Sequence, residues 1–240
     1  SHPEHYAARE LAEVLKQITG RRPPLRETPA VSSPESVIFV GPSKSAQKYF
    51  PEIPFDKLGP EEIVIKTRGK QLLIAGGRPR GTVYAVSYFL QRYCGIRWWT
   101  PWAGRVPKRP FLKFDELNIR TTPAFAMRDP YWFSARNAKW AVRNFSNSWS
   151  AKIPSSMGGA VNYVSWCHTF YDLVPPKDHF QAHPEWFSLT QGKRTWERAQ
   201  LCLSNAGLRD FVVGRAKEWL RSSPEGHNFS ISQNDWAGAC

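Results

Sequence analysis

Glu62-Ile-Val-Ile-Lys66 and Gln71-Leu-Leu-Ile-Ala75 flank Thr67-Arg-Gly-Lys70, and the chain then runs through Gly76-Gly-Arg-Pro-Arg-Gly81 into Thr82-Val-Tyr-Ala-Val-Ser-Tyr-Phe-Leu-Gln-Arg-Tyr93. Two short runs rich in aliphatic residues, joined by a tight turn in which Gly69 supplies a positive φ, predict a β-hairpin. Val83, Val86, Leu90 and Tyr93 then lie on one stripe at helical spacing, with Tyr84, Ala85 and Phe89 beside it, so 82–93 reads as a helix closed by Gly95. Outward from this core, Tyr6, Leu11, Val14, Leu15 and Ile18 predict a helix ending at Gly20. The four prolines of Arg21–Pro34 mark a loop, and Ser36-Val-Ile-Phe-Val-Gly41 reads as a buried strand. Ile96-Arg-Trp-Trp99 reads as another strand, and 101–110 as a connector. The segment to about Leu117 is therefore an α/β unit, with helices expected on one face of a small sheet.

From Arg120 the pattern changes. Ala124-Phe-Ala-Met-Arg128, Tyr163-Val-Ser-Trp-Cys-His168 and Asn228-Phe-Ser-Ile-Ser-Gln-Asn-Asp235 read as strands that end in polar residues. Trp140–Trp149 is weakly helical. Leu208–Leu220 is an amphipathic helix, with Leu208, Val212, Ala216, Trp219 and Leu220 expected to face inward. Strand alternating with helix is the rhythm of βα repeats. The fold class expected is α/β: a small auxiliary domain over 1–118, then the first part of a (β/α)8 barrel over 119–240. Such a barrel takes about 250 residues by itself, so the second domain is expected to be truncated.

Composition narrows the function. The 240 residues are 41% hydrophobic and 22% charged, which excludes a disordered chain. No stretch approaches 18 apolar residues, so no membrane span is expected, and the N-terminus is no signal peptide. Lys+Arg 33 against Asp+Glu 20 gives a net +13, which suggests an anionic partner. The basic residues fall as loop pairs such as Arg21/Arg22, Arg78/Arg80 and Lys193/Arg194, without a nucleic-acid motif. A solvated basic surface is the preferred reading, and no nucleic-acid partner is expected. The four cysteines (Cys94, Cys167, Cys202, Cys240) form no C-x-x-C pair and no disulfide framework.

The candidate site residues follow from the strand ends. In a βα barrel the loops leaving the C-terminal strand ends form the active-site mouth. Arg128 and Asp129, His168, and Asn234 with Asp235 occupy those three positions and together could hold sugar hydroxyls. Asp235 is also the candidate proton-transfer group. Each alone reads as a cap or an ion pair. Trp132 and Trp236 follow such clusters closely enough to offer a flat ring to a sugar. Zinc at His168 with Cys167, Cys202, His179 and His183 finds no matching ligand spacing, and no metal or other cofactor is expected. A Cys167–His168 nucleophile pair is disfavoured, because neighbouring strand residues point to opposite faces. Gly76–Gly81 matches no phosphate-binding fingerprint and reads as a turn with a helix start.

Several motifs carry a resemblance. Tyr6-Ala-Ala-Arg-Glu-Leu11 and Gly76–Val86 are similar to the small α/β domain that precedes the barrel in α-glucuronidases and β-hexosaminidases. Gly95-Ile-Arg-Trp-Trp-Thr-Pro101, Trp166-Cys-His-Thr-Phe170, His183-Pro-Glu-Trp-Phe187, Gln200-Leu-Cys-Leu-Ser-Asn205 and Ser232-Gln-Asn-Asp-Trp236 together resemble a bacterial glycoside-hydrolase-like family, domain of unknown function 4838. The resemblance implies a carbohydrate-active barrel protein, exported to the periplasm or beyond, that degrades an oligo- or polysaccharide, which the basic surface suggests is acidic. It implies acid/base glycosidic cleavage, with catalytic carboxylates on later barrel strands. His168 and Asn234-Asp235 look like sugar-binding positions, and the role of Cys240 stays open. The alternative is a degenerate barrel that binds carbohydrate without cleaving it. Charge alone would suggest a nucleic-acid binder.

Overall fold

A computed structural model describes residues 1–27, 36–223 and 228–238. The chain is mixed α/β and divides into two compact units, Ser1–Ala160 and Val161–Cys240. The expected 21–34 loop falls partly outside the described residues, as does Cys240.

In the first unit, α1 (His2–Thr19) is stopped by Gly20, whose φ of 79° is the left-handed cap that glycine adopts without a Cβ clash. The strand β1 (Val37–Val40) leads into α2 (Lys44–Tyr49), which Ser43 caps by accepting from the Ala46 N–H. The hairpin is β2 (Ile63–Arg68) and β3 (Gln71–Gly76), with Gly69 at φ 56° in its turn. The helix α3 (Gly81–Arg92) follows, then the short pair β4 (Arg97–Trp98) and β5 (Gly104–Arg105), β6 (Asn118–Thr121) and α4 (Ala138–Arg143). The main sheet has the order β1-β3-β2-β6, with β1 parallel to β3 and the other pairs antiparallel.

This sheet is covered on both faces, not on one as its sequence suggests. Ile63, Ile65, Leu72 and Ile74 pack with α1 and α3. Val64, Leu73 and Ala75 point the other way, onto Phe39, Ala46 and Phe50 around α2. The alternation is the two-residue period of a strand. The six-residue α2 carries too little periodicity to announce itself. The boundary expected near residue 118 also falls elsewhere: Asn118–Thr121 pairs with Lys66–Ile63 as the sheet's edge strand.

The glycine-rich turn serves close packing. A Cβ on Gly77 would stand 1.7 Å from the Gly59 carbonyl oxygen, and one on Gly76 2.3 Å from that of Glu62. The N–H groups of Gly77, Arg80 and Gly81 donate to Glu62 and Pro60 carbonyls at 3.0–3.2 Å. Beside this turn lies a buried polar cluster. The Glu61 carboxylate accepts from Arg80 Nε at 2.6 Å and Asn147 Nδ2 at 2.8 Å, and pairs with Arg128 Nη2 at 2.7 Å. Arg80 Nη1 continues to the Gly158 carbonyl at 3.2 Å, and Arg128 Nε to that of Phe145 at 2.6 Å.

Ala124–Arg128 is not a strand. Side chains hold it: Asn147 Nδ2 donates to the Ala126 carbonyl at 2.7 Å, Asn147 Oδ1 accepts from the Arg128 N–H at 2.8 Å, and Ser146 Oγ donates to the Arg128 carbonyl at 2.7 Å. These bonds replace a ladder, and Pro123 and Pro130 bracket the segment.

The second unit contains α5 (Phe170–Leu173), α6 (Pro176–His179), the pair β7 (Leu189–Thr190) and β8 (Lys193–Arg194), and α7 (Ala206–Ser222). Its core joins Phe170, Leu173, Phe187, Leu201, Leu208 and Val212. Asn205 caps α7 by accepting from the Leu208 N–H. Leu208, Val212 and Ala216 are buried and Trp219 packs against the core, whereas Leu220, expected inside, is 50% exposed at the last turn. Tyr163–His168 and Asn228–Asp235 lie side by side and parallel, but only Tyr163 and Asn228 form a ladder bridge, so neither is a regular strand.

Removing the charge of Glu61 while keeping its shape leaves two guanidiniums without a counter-charge. Glu61→Gln is therefore expected to destabilise the first unit by about 3–5 kcal/mol. The check is the urea midpoint at unchanged m-value; a wild-type midpoint would show that the cluster is not what holds the turn.

Candidate functional site

Hydrogen bonds along the parallel segments of the second unit reveal a break in register. Val164 N–H donates to the Asn228 carbonyl at 2.8 Å and Ser230 N–H to that of Ser165 at 3.3 Å, while Thr169 N–H donates to Ser232 at 3.1 Å. Relative to the Tyr163–Asn228 bridge the two later bonds are displaced by one residue, so the first segment carries one extra residue near Ser165. Just beyond it Cys167 and His168 are both left-handed, with φ 57° and 54°. Left-handed backbone costs a non-glycine residue roughly 1–2 kcal/mol, and two in a row form a bulge that re-aims a side chain. The objection to Cys167 and His168 acting together, that strand neighbours diverge, therefore loses its premise. Thr169 locks the far side of the bulge: its Oγ1 donates to the Ser230 carbonyl at 2.8 Å and accepts from the Ser232 N–H at 3.0 Å.

The bulge turns His168 into solvent. Its Nδ1 lies 3.0 Å from the Gln233 carbonyl. A carbonyl only accepts, so Nδ1 carries the proton and Nε2 is left as a hydrogen-bond acceptor and base. Asp235, two residues beyond Gln233, is also exposed. Trp236 is 50% exposed, with the Arg198 guanidinium 5.8 Å from its ring. His168, Asp235 and Trp236 are thus all exposed at the C-terminal end of the parallel pair. Together they can bond polyol hydroxyls, cover the apolar face of a ring and exchange a proton.

Asn234 has a different part. It is 5% exposed, and its Nδ2 donates to the Ala199 carbonyl at 3.0 Å. Gln200 grips the same backbone: its Oε1 accepts from the Asn234 N–H at 2.9 Å, and its Nε2 donates to the Asn234 and Trp236 carbonyls at 2.7 and 2.6 Å. Asp235 is therefore held between two clamped residues. The hydroxyl of Tyr171 donates to the Trp196 and Ala199 carbonyls at 2.7 and 2.9 Å, and burial pushes its phenol up to about 12. Gln200 and Thr169 lie in segments that carried the family resemblance, but only the folded pairing reveals what they do.

The other three candidates belong to the first unit. Arg128 turns inward to Glu61, its guanidinium 5.5 Å from the Tyr84 ring. Asp129 Oδ1 accepts from the Tyr131 N–H at 2.8 Å, and its Oδ2 is buried with no hydrogen-bond partner. Trp132 is 53% exposed and meets Trp140 edge-on, with ring centroids 6.2 Å apart. His183 stacks on Trp186 at 4.1 Å and 7°, and His179 packs against Trp186 and Phe211. Among the described residues no group of three His, Cys, Asp or Glu side chains comes together.

Strain at residue 168 makes a testable statement. His168→Gly relieves about 1–2 kcal/mol of left-handed backbone and returns roughly 0.5–1 kcal/mol of unfolded-chain entropy. Its urea midpoint is expected to equal or slightly exceed that of the wild type. His168→Val, β-branched at the same φ, is expected to fall below both. Equal losses in the two variants would show that φ is not the constraint.

Among the described residues no helix is long and apolar enough to cross a membrane. No curated protein and no solved structure matches the chain. A protein-family model, described as Domain of unknown function (DUF4838), matches residues 98–240, more than half of the sequence and all of the second unit. The chain belongs to that family.

Proposed function

We propose that the chain is part of a glycoside-hydrolase-like, carbohydrate-active protein. The observation that carries this reading is the left-handed pair Cys167–His168, which turns an imidazole to solvent at the C-terminal end of two parallel segments, where Asp235 and Trp236 are exposed as well. The intervening α7 makes this a strand–helix–strand unit in outline, which supports reading it as an early repeat of a (β/α)8 barrel. On this reading the first unit is the auxiliary domain that resembles those of α-glucuronidases and β-hexosaminidases, and the protein works on polysaccharide outside the cytoplasm.

Within such a site His168 Nε2 accepts from a sugar hydroxyl, Trp236 covers a ring face and Asp235 bonds hydroxyls or moves a proton. Glycosidic cleavage needs two carboxyl groups, one protonated. A carboxyl kept protonated near neutrality needs an apolar surrounding, and Asp235 is exposed. That exposure favours a second reading, in which the site binds glycan and does not cleave it.

The intact protein, screened on a glycan array and assayed for reducing-sugar release on the glycans it retains, decides both points. Asp235→Asn and His168→Ala are expected to lower turnover or affinity at least tenfold with melting temperature nearly unchanged. Wild-type kinetics and affinity in both variants would refute the assignment. Affinity loss without any hydrolysis in the wild type would establish the binding-only reading.

A further inference from the structure

Between Glu62 and Asp115 the sequence has 52 residues with no Asp or Glu and eleven Lys or Arg. This one stretch supplies eleven charges of the net +13, so the basic excess is concentrated and not diffuse. Several cations at its start are neutralised: Lys66 and Arg68 pair with Glu52, Arg78 with Glu4 and Arg80 with Glu61. Burial aside, the Lys66 bond above all holds the Glu52 carboxyl down to about 2. The later cations differ. Among the described residues Arg92, Arg97, Arg105, Lys108, Arg109 and Lys113 form no ion pair with a carboxylate.

Two of them stand opposite each other in the β4–β5 pair, Arg97 and Arg105. Arg97 Nη1 donates to the Gln91 and Ile96 carbonyls at 2.7 and 2.6 Å, which leaves its charge without a carboxylate, and like charges in this position disfavour each other unless an anion offsets them. The tip beyond carries Trp99 and Trp102, 59% and 72% exposed. It is tightly bonded: the N–H groups of Trp99 and Thr100 donate to the Ala103 carbonyl at 3.0 Å, and Thr100 Oγ1 accepts from those of Trp102 and Ala103 at 3.3 and 2.9 Å. At its base Trp98 is buried, with the Arg143 guanidinium 4.7 Å from its ring and its carbonyl accepting from Trp140 Nε1 at 3.1 Å. Gly104 lets the strands close, since a Cβ there would stand 2.5 Å from the Arg97 carbonyl oxygen. Two large rings are thus displayed to water on a turn already ordered, so little entropy is lost when a ligand covers them. The family match begins at Trp98, within β4, and so takes in Trp99, Trp102 and Arg105.

We propose that the β4–β5 hairpin is a platform for an acidic polysaccharide, distinct from the His168–Asp235 site: sugar rings lie on Trp99 and Trp102, and uronate carboxylates meet Arg97 and Arg105. Exposed aromatic rings beside guanidiniums that have no carboxylate partner also suit single-stranded nucleic acid or an anionic bilayer. The choice of a uronate polymer rests on the carbohydrate reading of the second unit, whose candidate site offers a carboxylate, imidazole and indole for hydroxyls and no cluster of cations for phosphates.

The experiment is native gel electrophoresis of the intact protein in gels containing polygalacturonate, alginate or neutral hydroxyethyl cellulose. Poly(U) shifts and flotation with phosphatidylcholine/phosphatidylglycerol vesicles run alongside at 150 mM salt. The wild type is expected to be retarded by the two uronate polymers. The Trp99→Ala/Trp102→Ala double variant is expected to weaken that binding at least tenfold, and Arg97→Gln/Arg105→Gln to remove the preference for acidic over neutral polymer. Because the altered side chains are exposed, circular dichroism and melting temperature should stay at wild-type values, and a variant that departs from them is replaced by Trp99→His/Trp102→His. Retardation unchanged in the tryptophan variants, or a tryptophan-dependent preference for poly(U) or vesicles, overturns the proposal. If uronate binding persists in the tryptophan variants but vanishes in Asp235→Asn, only the hairpin inference fails. If the wild type binds no carbohydrate at all, the functional reading fails with it.

Discussion

A carboxylate withdrawn from water must find its partners inside the protein, and Glu61 finds hydrogen bonds from Arg80 and Asn147 and an ion pair with Arg128. One negative and two positive groups share this buried space, so the cluster is held by geometry as much as by charge. The carbonyls of Gly158 and Phe145 each accept a further guanidinium proton. Desolvating such a set offsets most of its Coulomb attraction, and its value lies in what it aligns. Arg80 ends the glycine-rich turn, Arg128 ends the irregular 124–128 segment, and Asn147 lies between α4 and the turn at Gly158. Three stretches with little regular structure of their own are tied to one side chain.

The second unit uses neutral groups for the same purpose. Gln200 and Thr169 donate to and accept from main chain on both flanks of the candidate site, while Asn234 bonds Ala199. Clamps of this kind let His168 occupy an unfavourable backbone conformation, since the neighbours on either side are pinned. Strain held by well-bonded surroundings is a frequent mark of sites that act on something.

Much of the first unit was legible from local pattern. Gly20 ends its helix, Gly69 turns its hairpin, and the 83–93 stripe faces the core, each governed by residues within a few positions. The cover on the second sheet face was not legible, because α2 is too short to show a period. Nor was the end of the first unit: Asn118–Thr121 pairs with β2, a partner far back in the chain. Among site residues, type and position alone could not separate Asp235, which reaches water, from Asn234, which does not, or reveal that Glu61 engages Arg128. Those outcomes depend on long-range partners. The three expected strands of the second half failed as regular strands for related reasons: Asn147 replaced the ladder of the first, and an extra residue near Ser165 shifted the alignment of the other two.

That pair has a further consequence. Main-chain bonds hold the segment on both sides of Cys167 and His168, at Ser165 and at Thr169, so the kink cannot be relaxed by sliding one segment along the other. Losing the left-handed conformation would pull on the bonds at Thr169, which ties the direction of the imidazole to the pairing of the two segments.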